Sequence, residues 1–441
     1  MIQNKPALLH ARPRRVKRSS RAQLGFALLG AASVFALPKP AHATDWMMLH
    51  GTEVTAKEEE AIRPVFFIQP LYQAVLFPDK VTGLQSPGLQ AYEGRHAAFN
   101  VLSGDDTQSA FGVRRLRLGI RGTIPKTEGA VTYLATVDAG QNASTSDGPA
   151  LMDGSATYSS PWGPRFRAGQ FKLATMDETL EAFHITTDLI DFSVVAARLL
   201  QERAIDEGVQ TGAAYSFRDI GVMLFDTVSF SNQLRLSYAL SVTNGKARAI
   251  DEDDAKDVGG RVQLAWLPKP QQEFKPDRNE LALFAWGLEG SRHYSDTQRV
   301  DRLRAGGGAQ FMWDWLRLRT EAVWAKGALP TGAAPPFPGN PVAVAPDAKA
   351  WGGTFLFGAR VVEPLELDLG FNRLDQQYDE EAPRRIFTEV VIGAQYFLDA
   401  KAKVALNYAW RDISAPDGSP DAKRIVDTVA PKLSVQATVR Y

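Results

Sequence analysis

Residues 433–441 carry the pattern that most constrains this chain. Leu433, Val435, Ala437, Val439 and Tyr441 fall on one face; Ser434, Gln436, Thr438 and Arg440 fall on the other. Strict period-two alternation is a strand with one apolar and one wet side. The pattern recurs. Leu116, Leu118 and Ile120 oppose Arg115, Arg117 and Arg121. Leu234, Leu236, Tyr238, Leu240 and Val242 alternate with Arg235, Ser237 and Ser241. Leu365, Leu367, Leu369 and Phe371 oppose Glu366, Asp368 and Asn372. Sixteen such segments run from 65–77 to 433–441.

The start of the chain reads differently. Six arginines and lysines between Arg12 and Arg21 precede an apolar run over 24–37, and Ala41-His42-Ala43 follows. This is the layout of a cleaved secretory signal, and the run is short for a bilayer-spanning helix of about twenty residues. Residues 1–43 are expected to be removed, 44–64 to form a polar periplasmic lead-in, and 65–441 to fold. The leader holds eight basic and no acidic residues, so the rest of the chain has 42 basic against 50 acidic ones. A nucleic-acid binder would show the opposite sign. With no cysteine anywhere, disulfide frameworks and cysteine-based catalysis are excluded.

An exported chain whose strands are wet on one face has few ways to bury the other. A soluble sandwich or propeller would pack its inward faces into a dry core, yet these faces carry Arg, Asp, Glu and Gln on strand after strand. Lipid on the apolar side and water on the polar side fit better. Strands span a bilayer only as closed barrels, because backbone groups find no water there. The expected fold class is all-β: a transmembrane, antiparallel up-and-down β-barrel of about sixteen strands. Short turns are expected to alternate with long loops without exception, both termini lying on the periplasmic side. Trp351, Tyr396, Phe397, Tyr408, Trp410 and Tyr441 fit interfacial girdles. In 280–288 both faces are largely apolar, which leaves its orientation open.

Several segments resemble the phosphate-selective porins O and P. Phe111-Gly112-Val113-Arg114-Arg115-Leu116-Arg117-Leu118-Gly119-Ile120-Arg121-Gly122-Thr123 is similar to that family's arginine-rich early strand. Ala168-Gly169-Gln170-Phe171-Lys172 matches the segment entering the third loop, and Arg218-Asp219-Ile220-Gly221-Val222 the one leaving it. Leu236-Ser237-Tyr238-Ala239-Leu240, with Thr243-Asn244-Gly245, resembles the strand after that. The resemblance implies a trimeric outer-membrane porin whose third loop folds into the lumen. It also implies lumenal arginines that guide anions, and a C-terminal aromatic, Tyr441, read by the outer-membrane assembly machinery.

Alternation puts Arg115, Arg117 and Arg121 in the lumen, with Arg235, Arg261, Arg317 and Arg319 as further candidates. A guanidinium ladder can pass an anion from site to site. The same arginines could instead pair with acidic neighbours. The third loop supplies Lys172, Asp177, Glu178, Glu181, Arg198 and Arg203 as constriction residues; its acids would oppose strict phosphate specificity. Asp251-Glu252-Asp253-Asp254 lacks the ligand spacing of a calcium loop, and no metal or other cofactor is expected. No Gly-x-Ser-x-Gly elbow supports a barrel hydrolase, so no enzyme activity is expected. A non-conducting structural or adhesive barrel is the alternative to a passive channel for small hydrophilic solutes. The expected surroundings are outer-membrane lipid and lipopolysaccharide, without nucleic acid.

Overall fold

The computed structural model describes residues 62–101, 109–127, 130–180, 188–215, 217–246, 254–268, 279–331, 337, 341–399 and 401–440. The expected leader, Glu181 and Tyr441 lie outside them. Sixteen antiparallel strands close into one barrel. In chain order they are β1 (Arg63–Val75), β2 (Ser109–Thr123), β3 (Val131–Asp138), β4 (Ala150–Ser159), β5 (Arg165–Lys172), β6 (Arg218–Ser229), β7 (Leu234–Thr243) and β8 (Asp257–Trp266), then β9 (Glu280–Ser295), β10 (Gln298–Trp313), β11 (Leu316–Lys326), β12 (Lys349–Val362), β13 (Leu365–Gln376), β14 (Arg385–Phe397), β15 (Ala402–Ser414) and β16 (Lys432–Arg440). β16 closes the ring, pairing Leu406 with Val435 on one side and Ala74 with Leu433 on the other.

Alternation sets the two faces. On β7, Arg235, Ser237, Ala239 and Ser241 are buried toward the lumen while Leu240 and Val242 are exposed. On β13, Glu366, Asp368 and Asn372 turn inward and Leu367, Leu369 and Phe371 outward. The exposed aliphatics form an outer apolar belt, as a lipid-facing barrel requires. Tyr158, Trp162, Trp266, Trp313, Trp315 and Tyr396 stand exposed around the short-turn rim.

The expected loop rhythm fails at one place. β9 and β10 are each 16 residues long and are joined by Asp296 and Thr297 alone, at the long-loop end. The preceding connection, 267–279, lies at the short-turn end and is much longer. The wall itself rises here in place of a loop. Elsewhere the wall is low, with eight residues in β3 and eight in β5.

A dry core sits inside the lumen. The segment 173–217 folds inward and packs Met176, Val194, Val195 and Leu199 against Phe284, Trp286, Val323 and Leu374 of the wall. This settles the orientation of β9: Glu280, Ala282, Phe284, Trp286 and Leu288 face inward. Both of its faces are apolar because one meets the inward loop and the other the outside. Wall glycines make the close approach possible. A Cβ on Gly352 would lie 2.8 Å from Val195, and one on Gly370 would lie 2.7 Å from Leu189. At the mouth, segment 76–108 is tied to 415–431: the Ser86 amide donates to Asp421 (2.7 Å), and Val81, Leu84 and Ile425 share a cluster with Phe337.

Candidate functional site

The inward segment leaves β5 at Lys172 and returns at Arg218, which face each other across the β5–β6 ladder. It carries two short helices, α1 (Asp177–Leu180) and α2 (Val194–Leu199), then a hairpin of Ala204–Asp206 with Val209–Thr211. Ser193 caps α2, its Oγ accepting from the Ala196 amide at 3.1 Å. Glu178 accepts from the Ser193 amide (2.7 Å) and hydroxyl (2.6 Å), so α1 and the start of α2 are latched together.

The acids of this segment reach arginines of the wall. Arg261 donates to Asp177 (2.9 Å) and to the Thr175 carbonyl (2.6 Å), with its guanidinium 4.0 Å above the Phe284 ring. The Asp177 amide donates to Glu321 at 3.0 Å. Asp188 lies 2.9 Å from Arg317 and 3.7 Å from Arg319. The Ile190 amide donates to Asn407 at 2.7 Å. Asp191 pairs with Arg114 of β2 and with Lys432 of β16, the latter at 3.2 Å. Arg198 donates to Gln376 (2.7 Å) and stacks 4.4 Å over Phe387. Glu202 holds Arg292 (2.8 Å) and Arg302. Arg203 donates within the hairpin region, to the Gly212 carbonyl at 2.6 Å. The segment is therefore fastened to the wall from β2 round to β16.

Burial and charge pull its carboxyls in different directions. Burial pushes Glu178 up to about 7, against the two Ser193 hydrogen bonds. Burial also opposes ionisation of Glu202, but Arg292, Arg302 and Arg304 outweigh it and hold the carboxyl at about 2. Asp191 is likewise buried, and Lys432 and Arg114 keep it well below the ordinary carboxylate range. Burial lowers the Arg198 guanidinium to about 10.

The segment leaves two chambers of opposite charge. One is lined by Arg114, Arg115, Arg117, Arg218, Arg411 and Lys432 against Asp191 and Glu389. The other has Asp177, Glu178, Asp188, Asp191 and Glu321 against Arg319. Behind the basic chamber, Arg117 pairs with Asp138 (3.1 Å), Arg218 with Asp153 (3.0 Å), and Arg115 donates to Gln69 (2.8 Å). Asp188, Glu366 and Asp368 form a group at metal-ligand spacing. Arg317 sits among all three and already supplies the positive charge.

The residues expected in the lumen thus fall into three sets. Arg115 and Arg117 line the basic chamber. Arg121 and Arg235 lie on inward faces near the short-turn rim. Arg261, Arg317 and Arg319 reach the inward segment's acids. Lys172 is buried beside Arg218. Four cations of the chamber lie outside the expected lumenal and constriction sets: Arg114, Arg218, Arg411 and Lys432. Alternation extended along β15 from Asn407 reaches Arg411, and one step back along β16 from Ser434 reaches Lys432. Arg114 is different. A register shift at Gln69/Pro70 leaves it without a partner position on β1 and turns it inward beside Arg115.

No protein-family model and no curated protein sequence matches the chain. Solved structures do. Salmonella typhi OmpF in complex with daunomycin has a TM-score of 0.53 at 11% identity, over 86% of this chain and 97% of that one. The outer membrane channel DcaP of Acinetobacter baumannii gives 0.52 at 10%, again over 86% and 97%. An anion-selective porin from Comamonas acidovorans gives 0.50 at 12%, over 86% and 99%. At these identities the likeness is one of fold, and the chain has the closed sixteen-stranded barrel of outer-membrane channels.

Proposed function

We propose that the chain is an outer-membrane porin for passive diffusion of small hydrophilic solutes, with a preference for anions. The observation that carries this reading is the basic chamber, where five arginines and one lysine meet two carboxylates between the wall and the inward segment. Guanidinium groups offer fixed charge and forked donors, and several weak sites in a row allow release as well as entry. Arg115 and Arg117 act within the chamber; Arg121 and Arg235 continue the positive path toward the short-turn rim. Arg261, Arg317 and Arg319 act on the solute through the segment they hold. Phosphate is one candidate anion, and the segments similar to the porins O and P support it. The activity is passive and calls for no catalytic group or cofactor.

Export delivers a chain beginning at Thr44, which N-terminal sequencing of the membrane-extracted protein checks. β16 and Tyr441 serve as the signal to the assembly machinery, and the outer belt meets lipid and lipopolysaccharide. The working unit is a homotrimer. Eight residues at about 3.4 Å each, tilted by about 40°, rise only about 21 Å, short of an apolar band of about 25 Å. The low wall at β3 and β5 is therefore better covered by a neighbouring copy than by lipid.

Reversal potentials of the purified protein in planar bilayers under a salt gradient test the reading. Anion preference is expected, weakened by the combined Arg115→Gln, Arg117→Gln and Arg121→Gln substitutions. Cation preference in the unsubstituted protein overturns it, and absence of conductance favours a structural barrel.

A further inference from the structure

The basic chamber is not polar all round. Its cations come from β2, β6, β15 and β16, whereas the inward segment and the mouth add apolar groups beside Asp191, Gln201 and Asn100. Phe192, Phe217, Val194 and Ala197 belong to the segment, and Phe99 to the connection between β1 and β2. The rings are set edge to face: Phe192 and Phe217 have centroids 4.7 Å apart at 74°, and Phe99 meets Phe387 at 5.8 Å and 76°. Arg411 already stacks on the Phe99 ring, 5.5 Å from its centroid. A small inorganic anion would use only the cationic side and gain nothing from the rings. A solute with a carboxylate at one end and a flat apolar body at the other would use both.

Resting on the channel reading above, we propose that the basic chamber is a binding subsite for aromatic carboxylates, with the carboxylate on the Arg114–Arg115–Arg218 side and the ring against Phe192 and Phe99. Arg114 and Lys432 share Asp191, so the subsite includes the point where the segment is fastened to both ends of the barrel wall. Aromatic carboxylates therefore dwell at the constriction longer than aliphatic ones of equal charge.

Block of chloride current through the reconstituted full chain tests this, with sodium benzoate, sodium acetate and inorganic phosphate added in turn. Benzoate is expected to half-block at about tenfold lower concentration than acetate, the equivalent of one 1.4 kcal/mol step, and below phosphate. The benzoate-to-acetate ratio should collapse toward one in Phe192→Ala and be retained in Phe192→Tyr. Equal block by benzoate and acetate in an anion-preferring channel overturns the subsite and leaves the channel reading standing. A ratio unchanged in Phe192→Ala also overturns it. Cation preference with no block by any of the three overturns both.

Discussion

Glu178 and Glu202 fasten the two ends of the inward segment and titrate in opposite senses. Burial raises Glu178 from 4.5 to about 7, so its contribution is complete below pH 4.5 and is lost as pH rises through about 7. The three arginines around Glu202 lower it from 4.5 to about 2; its contribution is complete above pH 4.5 and is lost as pH falls through about 2. The segment is expected to be held most tightly near pH 4.5. Limited proteolysis within 173–217, followed across pH 2–9, should show cleavage rising on both limbs. Glu178→Gln should flatten the alkaline limb and Glu202→Gln the acid one. At this scale the sequence was only partly legible. Alternation found Arg115, Arg117 and Arg235, because a strand's geometry fixes which side chains share a face. Nothing in the spacing told that Asp188 would meet Arg317 or Asp191 meet Arg114, since pairs between a folded-in segment and a distant wall leave no periodic trace. Arg114 was hidden by the bulge that Pro70 imposes, although Pro70 itself signalled an irregularity.

The inward segment is an element that packs like a soluble core on one side and like a surface on the other. Its seat depends on what the wall leaves out. Gly352→Val should push the new side chain into Val195 and cost about 1–3 kcal/mol as overpacking, read as a lower temperature for the heat-induced mobility shift of the folded barrel. Arg261→Met should act otherwise. It removes the partner of Asp177 and the donor to Thr175, and breaking one side of a buried pair typically costs about 3–5 kcal/mol. Single-channel conductance should rise and become noisier as α1 leaves the wall, while the barrel stays folded. Alternation was plainest where lipid meets the wall, as along 365–372 of β13. It fades where a strand leaves the bilayer: between Tyr294 and Asp301 neither face of the β9–β10 hairpin needs to be apolar, so nothing in 294–301 marks it as strand.

At the level of the whole molecule, the wall is high at β9 and β10 and low at β3 and β5. The low side predicts association there, and sedimentation of the detergent-solubilised protein should give three chains per particle. Substituting Tyr158 and Phe166, exposed on β4 and β5, with Asn should shift it toward single chains. The even strand number and the pairing of β1 with β16 followed from parity and alternation, which are properties of every strand at once and so survive local errors. Asp191 bears on how such a molecule comes into being. Its two partners belong to the second strand and the last, and other fastenings of the same segment lie on β8, β11, β13 and β15. A nascent barrel on its way into the membrane is thus a wide, unguarded hole until its final hairpin arrives. The inward segment is the last part to be fully fastened, and on the proposed channel reading a chain stalled before β16 would leak.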